Sequence, residues 1–471
     1  MAIVSFKSFD GMLQTRTSRF LRPTNELTRS INVISDVTGA LQKRLGYSII
    51  GSSLTNSISG LHSYYRLNGD AYLIATETSN LYTSTGGTFS ARSAALSSGA
   101  NYEMATFIDE VFICGYNSTA RTFDSIRNLD NLSLTTTNNL SGALNAKVPI
   151  VFRQRLYLIG LTGRRSAFQF SGVPTSTGTA ISWSSDDIEE VRTDDGDELI
   201  GGANISNRLV LFKNNSMHEW NESTVTQVSE IGTPSHRSIV NTGSYVFFFS
   251  RSKNLKGFYA FAGGQPRLIS NKIQEWCDGI ADTTLANIVG FRHGENIIWS
   301  VGTITIGAKT FTNSALVYNM ANNVWTHFQY NDTFTAYAPY IISSTERPYV
   351  GTSDGEVHQM AITGDTVYSD NSIAIPALFR TTQLDFDASE DRKRISKSKF
   401  FAQSAQGLQM SIRGDGEKWQ PLGQLTKTVN EFSGPVGDAH YWELEGVESS
   451  SNPPFIFEGF SLSTSLSSKF D

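Results

Sequence analysis

The side chains equipped for catalysis or metal binding are few and spread along the chain. The seven histidines are His62, His218, His236, His293, His327, His358 and His440. Several could converge if the chain folds back on itself, but dispersed strand and turn histidines read as structural. No nucleophile elbow, phosphate loop, dinucleotide fingerprint or His-Glu-x-x-His helix is present. The two cysteines, Cys114 and Cys277, lie far apart and outside any Cys-x-x-Cys or metal-spaced cluster. Cys114 ends the apolar run Val111-Phe-Ile-Cys114 and reads as a buried core thiol.

Three acidic segments have the look of ligand loops. Asp385-Phe-Asp387-Ala-Ser389-Glu-Asp391 puts oxygen ligands at alternate positions, as a calcium loop does. It lacks the turn glycine and the closing Glu, so a solvated loop is the better reading. Asp194-Asp-Gly-Asp-Glu198 reads as an acidic turn between sheets rather than a metal site. Gly414-Asp-Gly-Glu-Lys-Trp419 is similar to the Asp-box turn of sialidases, and an Asp-Gly hairpin with Trp419 packed behind it explains the same residues. No catalytic, cofactor-binding or metal-ligating residue is assigned, and the chain is expected to need no cofactor and to be non-enzymatic.

Two basic groups stand out. Arg392, Lys393 and Arg394, with Lys397 and Lys399, form the densest cationic run. It suits contact with DNA or an acidic neighbouring subunit, or else a solvated edge strand whose lysines prevent sheet-to-sheet aggregation. Arg16, Arg19, Arg22, Lys43 and Arg44 pose the same choice near the N-terminus, where contact with a neighbouring subunit is the expectation. The net charge of -6 argues against holding nucleic acid by wholesale phosphate neutralisation.

The elements that must position these residues are strands. Only 17% of residues are charged while 11% are aromatic, a folded rather than disordered composition suited to pleated surfaces. Short apolar runs recur at Ala71–Ala75, Val111–Gly115, Arg155–Ile159, Arg208–Phe212, Tyr245–Phe249, Asn296–Ser300 and Pro348–Gly351. They lie roughly 40–55 residues apart, the length of one propeller blade. Most are followed by a turn and a more polar strand. Helical periodicity is nearly absent, with one short helix expected within Ile273–Ala281.

The chain is therefore expected to be all-β, in three parts. Residues 1–54 form an extended N-terminal arm and a strand leading into the sheets. Residues 55–365 form a β-propeller of roughly six or seven blades. Residues 366–471 form a C-terminal β-sandwich or jelly roll, after a linker over Thr366–Pro376. No secretory leader and no stretch long enough to cross a bilayer is read in the sequence. Asn-x-Ser/Thr triplets such as those at Asn117 and Asn221 carry no weight in so Asn- and Ser-rich a chain.

Several strings resemble one family. They are Arg29-Ser-Ile-Asn-Val33 with Gly39-Ala-Leu-Gln-Lys-Arg-Leu-Gly-Tyr47, Val151–Leu158, Asn207–Lys213 with Ser216–Trp220, Ile231–Gly243, Pro266–Ser270, and Ala315–Asn319 with Val324-Trp325. The chain resembles the tail nozzle and packaged-DNA stabilisation proteins of podoviruses. That resemblance implies a propeller with a C-terminal sandwich, assembled as a ring, typically a hexamer, below portal and adaptor. The ring would continue the channel for double-stranded DNA, help retain packaged DNA, and anchor a needle, fibres or tailspike. It implies a place in the virion tail after assembly in the host cytoplasm. The alternative is a carbohydrate-binding or glycoside-hydrolysing propeller, such as a receptor-binding tail protein.

Overall fold

The recurring apolar runs become the second strands of seven antiparallel sheets. The computed structural model describes residues 2–16, 22–36, 38–93, 95–174, 181–252, 255–342, 344–386 and 389–466. The sheets occupy 58–93, 101–135, 146–190, 199–229, 240–268, 289–329 and 334–360 in order. Their first strands contact one another from sheet to sheet, and Phe334–Ile342 of the seventh packs on Ile58–Tyr65 of the first. This radial stack of small sheets is a β-propeller of seven blades.

The second strands are apolar without a break because both of their faces are covered. In Arg208–Lys213, Leu209 and Leu211 pack towards the third sheet with Phe168 and Trp220. Val210 and Phe212 point the other way, onto Phe248 and Tyr259 of the fifth. Since side chains alternate across a strand, a two-sided core requires a continuous run. The first and seventh sheets share such a core too, through Ile58, Leu61, Leu73 and Ala75 with Ala336, Ala338 and Tyr340.

Several first hairpins close through two residues with positive φ, namely Ile108-Asp109, Arg153-Gln154 and Ser206-Asn207. That is the turn whose twist matches the strands it joins. The expected helix is there as Gln274–Asp278, preceded by the single turn Asn271–Ile273. The Ser270 hydroxyl just before it accepts from the Phe258 backbone N–H at 3.0 Å.

The expected N-terminal arm is corrected by the strand pairing. Ala2–Phe6 pairs with Ile456–Leu466, and Leu41–Lys43 joins the far end of that strand. Glu26–Ile31 pairs with Ala377–Thr381. The two chain ends thus build one sandwich together, closed over Phe9, Leu27, Val33, Phe379, Phe400, Trp442 and Phe457. Tyr47–Ile49 leaves this sandwich and becomes the outer strand of the seventh propeller sheet, antiparallel to Val357–Met360. These strands are two to six residues long, too short to show alternation before their partners are known.

The sandwich and the propeller share a continuous sheet. Glu26–Ile31 lies between Ala377–Thr381 and the sixth sheet's outer strand Val324–Gln329, bridging the latter at Ile31 and His327. Arg44 locks this seam. Its guanidinium grips Asp370 with both ends, Nη1 to Oδ1 at 2.8 Å and Nη2 to Oδ2 at 2.6 Å. Nε donates to Asn32 Oδ1 at 2.9 Å, and the remaining N–H groups reach the carbonyls of Leu45 and Gln329. All five donors are used, with the side chain 3% exposed and Tyr330 stacked 4.2 Å away.

Removing one partner of such a pair strands a buried charge. Arg44→Met is expected to cost about 3–5 kcal/mol of unfolding free energy, and Asp370→Asn a comparable amount. Arg16→Ala, at an exposed position, should stay within about 0.5 kcal/mol. Urea unfolding midpoints of the three variants check the contrast.

Candidate functional site

One side chain, Arg237, joins three of the propeller's sheets to the link that carries it. The link between the fourth and fifth sheets carries the single turn His236–Ser238, which aims Arg237 inward. Its Nε donates to Glu103 Oε1 at 2.6 Å and its Nη1 to the Thr335 carbonyl at 2.6 Å. Nη2 donates to the carbonyls of Ser59 and Tyr102. Those acceptors belong to the first, second and seventh sheets. The link comes close enough to exclude side chains from its neighbours. A Cβ on Gly201 would fall 2.1 Å from His236 Nδ1, and one on Gly232 would fall 2.2 Å from the Lys213 carbonyl oxygen.

Beside Arg237 is a cavity of about 200 Å3, lined among others by Glu103, Tyr116, Lys147, Glu198 and His236. Its charges are largely paired. Lys147 Nζ donates to the Leu199 carbonyl at 2.9 Å, stands 3.3 Å from Glu198 Oε2, and lies 4.7 Å from the centre of the Tyr116 ring. Burial pulls the Lys147 pKa down, opposed by Glu198. Glu198 also meets Arg121 at 3.3 Å. Burial likewise lowers the His236 pKa, so its ring is neutral near pH 7, 4.0 Å from Glu103. The arrangement is a partly buried set of acids and bases whose charges are mostly paired.

The acidic turn foreseen at 194–198 supplies part of this balance. It joins the third and fourth sheets, where Asp195 accepts from the buried Lys213 Nζ at 2.8 Å and Asp197 from Asn214 and Asn215. In the segment 414–419, Asp415 accepts from the His440 and Tyr441 backbone N–H groups. Trp419 lies between the guanidinium groups of Arg380 and Arg413, 4.8 and 4.6 Å from its ring centre. Asp387 of the loop at 385–391 lies outside the described residues.

The basic residues singled out in the sequence do not form one patch. Lys43 is fully buried, with Nζ 2.6 Å from Glu448 Oε2 and donating to the Ser450 carbonyl at 2.9 Å. Arg44 is committed to Asp370 as described. Lys393 is buried and donates to the His440 carbonyl at 2.8 Å. These three are corrections: a desolvated, partnered cation is not available to DNA or another subunit. Their partners lie far away in sequence and could not be read there.

The others are more accessible. Arg16 Nη1 donates to Asn271 Oδ1 at 2.7 Å, and Arg22 to the Thr15 carbonyl at 3.2 Å. Arg19 lies outside the described residues. Arg392 and Arg394 are exposed, and Arg392 donates to the Asp438 carbonyl. Lys397 and Lys399 both pair with Glu431, the latter at 2.6 Å. Their strand, Lys393–Ser404, is not an edge. From Lys397 to Phe401 it has Ile456–Leu466 on one side and Val429–Ser433 on the other.

Sequence reasoning missed Arg237, whose only signal is the long Gly- and Pro-containing link at 231–240. It also missed a second gathering. Asp332, Glu356 and His358 meet at the seventh sheet, and the sole hint is the spacing of Glu356 and His358 by two in an extended segment.

No protein-family model matches the chain, and no curated protein matches it. Among solved structures, similarity is found to a catalytically inactive variant of virginiamycin B lyase from Staphylococcus aureus with quinupristin. The identity is 13% and the TM-score 0.43, covering 67% of this chain and 99% of that one. This corrects the expectation of a non-enzymatic chain, because the solved structure found to be similar is that of an enzyme. The exclusion of catalysis is withdrawn.

Buried histidines make stability depend on pH. Burial lowers the His327 pKa to about 3 and those of His62 and His218 to about 4. Unfolded, each would take up a proton near pH 6.5. Between those values the unfolded chain binds more protons, so stability falls as pH drops. His327 alone should cost about 3 kcal/mol between pH 7 and pH 4. Urea unfolding across that range should show a smaller loss for His327→Gln than for the parent chain.

Proposed function

We propose that the chain is a wall-forming subunit of a short-tailed bacteriophage tail. Copies of it assemble as a ring, six being the expected number, below portal and adaptor. Double-stranded DNA passes through the lumen between subunits, and the outer side anchors a needle, fibres or a tailspike. The family reading rests on the resemblance of the strings given above.

The observation that carries the passage reading is Arg237. Its four hydrogen bonds tie the link at 231–240 to the first, second and seventh sheets across the propeller, and in this reading the duplex runs beside the subunit rather than through it. A wall beside DNA works best when it does not grip, since each phosphate neutralised by a free cation strengthens retention. The pairing of Lys397 and Lys399 with Glu431 and the burial of Lys43, Arg44 and Lys393 fit that demand. Large exposed apolar side chains at Ile3, Leu67 and Val436 are available for subunit contacts.

Sedimentation of the purified protein, alone and mixed with portal and adaptor, tests the reading. A ring-sized species or a stable joint complex is expected. A monomer that never joins that complex, or particles lacking the protein that still retain and inject DNA normally, would reject it. Arg237→Ala should lower the urea midpoint, leaving Glu103 without its 2.6 Å partner, by about 2–4 kcal/mol in unfolding free energy.

A further inference from the structure

We propose that Asp332, Glu356 and His358 form a divalent-metal site, zinc by preference, that fastens the N-terminal strand Tyr47–Ile49 into the seventh sheet.

The three residues come from two places. Asp332 lies in the link between the sixth and seventh sheets, just before Phe334–Ile342. Glu356 and His358 flank Val357 at the start of Val357–Met360. In extended backbone, positions two apart point to the same side. Their ligand atoms all lie within 4.8 Å of one another. His358 Nε2 stands 3.2 Å from Glu356 Oε2 and 3.4 Å from Asp332 Oδ2. Tetrahedral zinc, with bonds of about 2.0–2.1 Å to nitrogen and oxygen, holds its ligands about 3.3 Å apart.

The imidazole supplies an independent pointer. His358 is 0% exposed, and neither of its ring nitrogens has a hydrogen-bond partner. A buried polar group left without a partner is costly, and this one directs Nε2 at two carboxylates. A dication at their meeting point would take the Nε2 lone pair and balance the two negative charges. Calcium and magnesium favour all-oxygen shells, whereas imidazole with carboxylates suits zinc.

The surrounding contacts already orient the ligands. Tyr47 Oη donates to Asp332 Oδ2 at 2.7 Å, and the Tyr47 and His358 ring centres are 4.5 Å apart. Glu356 accepts from Ser53 Oγ at 3.2 Å and from Asn371 Nδ2 at 3.3 Å. Partners of this kind fix the direction of metal-binding side chains. They come from the N-terminal strand, the segment after it, and the hairpin that follows the seventh sheet. A metal here would join the seventh sheet to the strand completing it.

The test uses the full chain stripped with a chelator and titrated with zinc in a calorimeter. One equivalent is expected to bind with micromolar or tighter affinity and to raise the melting temperature by several degrees. Cobalt in its place should give the visible absorption of a low-coordinate nitrogen and oxygen site. Asp332→Asn and His358→Gln should each weaken zinc at least tenfold. The Glu356→Gln variant, at a position only partly buried and checked for native circular dichroism, is the one expected to fold. A stripped parent chain that takes up no zinc overturns the site, as does equal zinc affinity in folded Glu356→Gln.

Discussion

The arrangement of both units depends on one desolvated charge pair, Arg44 with Asp370. Arg44 follows the last N-terminal strand of the sandwich, and Asp370 sits in the hairpin outside the seventh sheet. The same guanidinium holds the Gln329 carbonyl of the sixth sheet and the Asn32 side chain. Each charge is tolerable in the interior only because the other is there, so the four segments must arrive together. Geometry reinforces the demand, since a planar fork with five donors accepts a narrow set of positions for its partners. Lysine would carry the charge without that specification.

Much of the propeller was legible because its demand on sequence is severe. A strand packed on both faces admits no polar break, so Leu209–Phe212 and Val111–Cys114 announce themselves. What escaped reading depends on distant partners. The strand at 41–43 is short, and only its pairing with residues 456–457 makes it part of a sheet. Lys43 and Lys393 look like surface cations until Glu448 and the His440 carbonyl are beside them. The two-residue turns Ile108-Asp109 and Arg153-Gln154 lack the usual Asn-Gly signal, their positive φ being imposed by the strands they connect. Arg237 is read as one arginine among many until the fold puts the axis in front of it.

The propeller's interior and its surface follow opposite rules. Inside, Arg237 and Glu198 gather charges that cancel within a few ångströms, which stiffens the axis at little cost in net field. Outside, some apolar side chains remain uncovered, such as Leu67 at 89% and Val173 at 49% exposure. The sandwich extends that stiffness, since Glu26–Ile31 carries one sheet from it into the sixth blade.

The shared sandwich also sets an order on biosynthesis. Strands 2–6 and 41–43 pair with 456–466, so they leave the ribosome long before their partner exists. At about 5–20 residues per second, the wait is on the order of tens of seconds. Throughout it the nascent chain trails unpaired strand edges, while the sheets between can already stack on their neighbours. The seventh sheet's outer strand, 47–49, likewise waits for its partner at 357–360. The sandwich can therefore close only once residues 456–466 have been made.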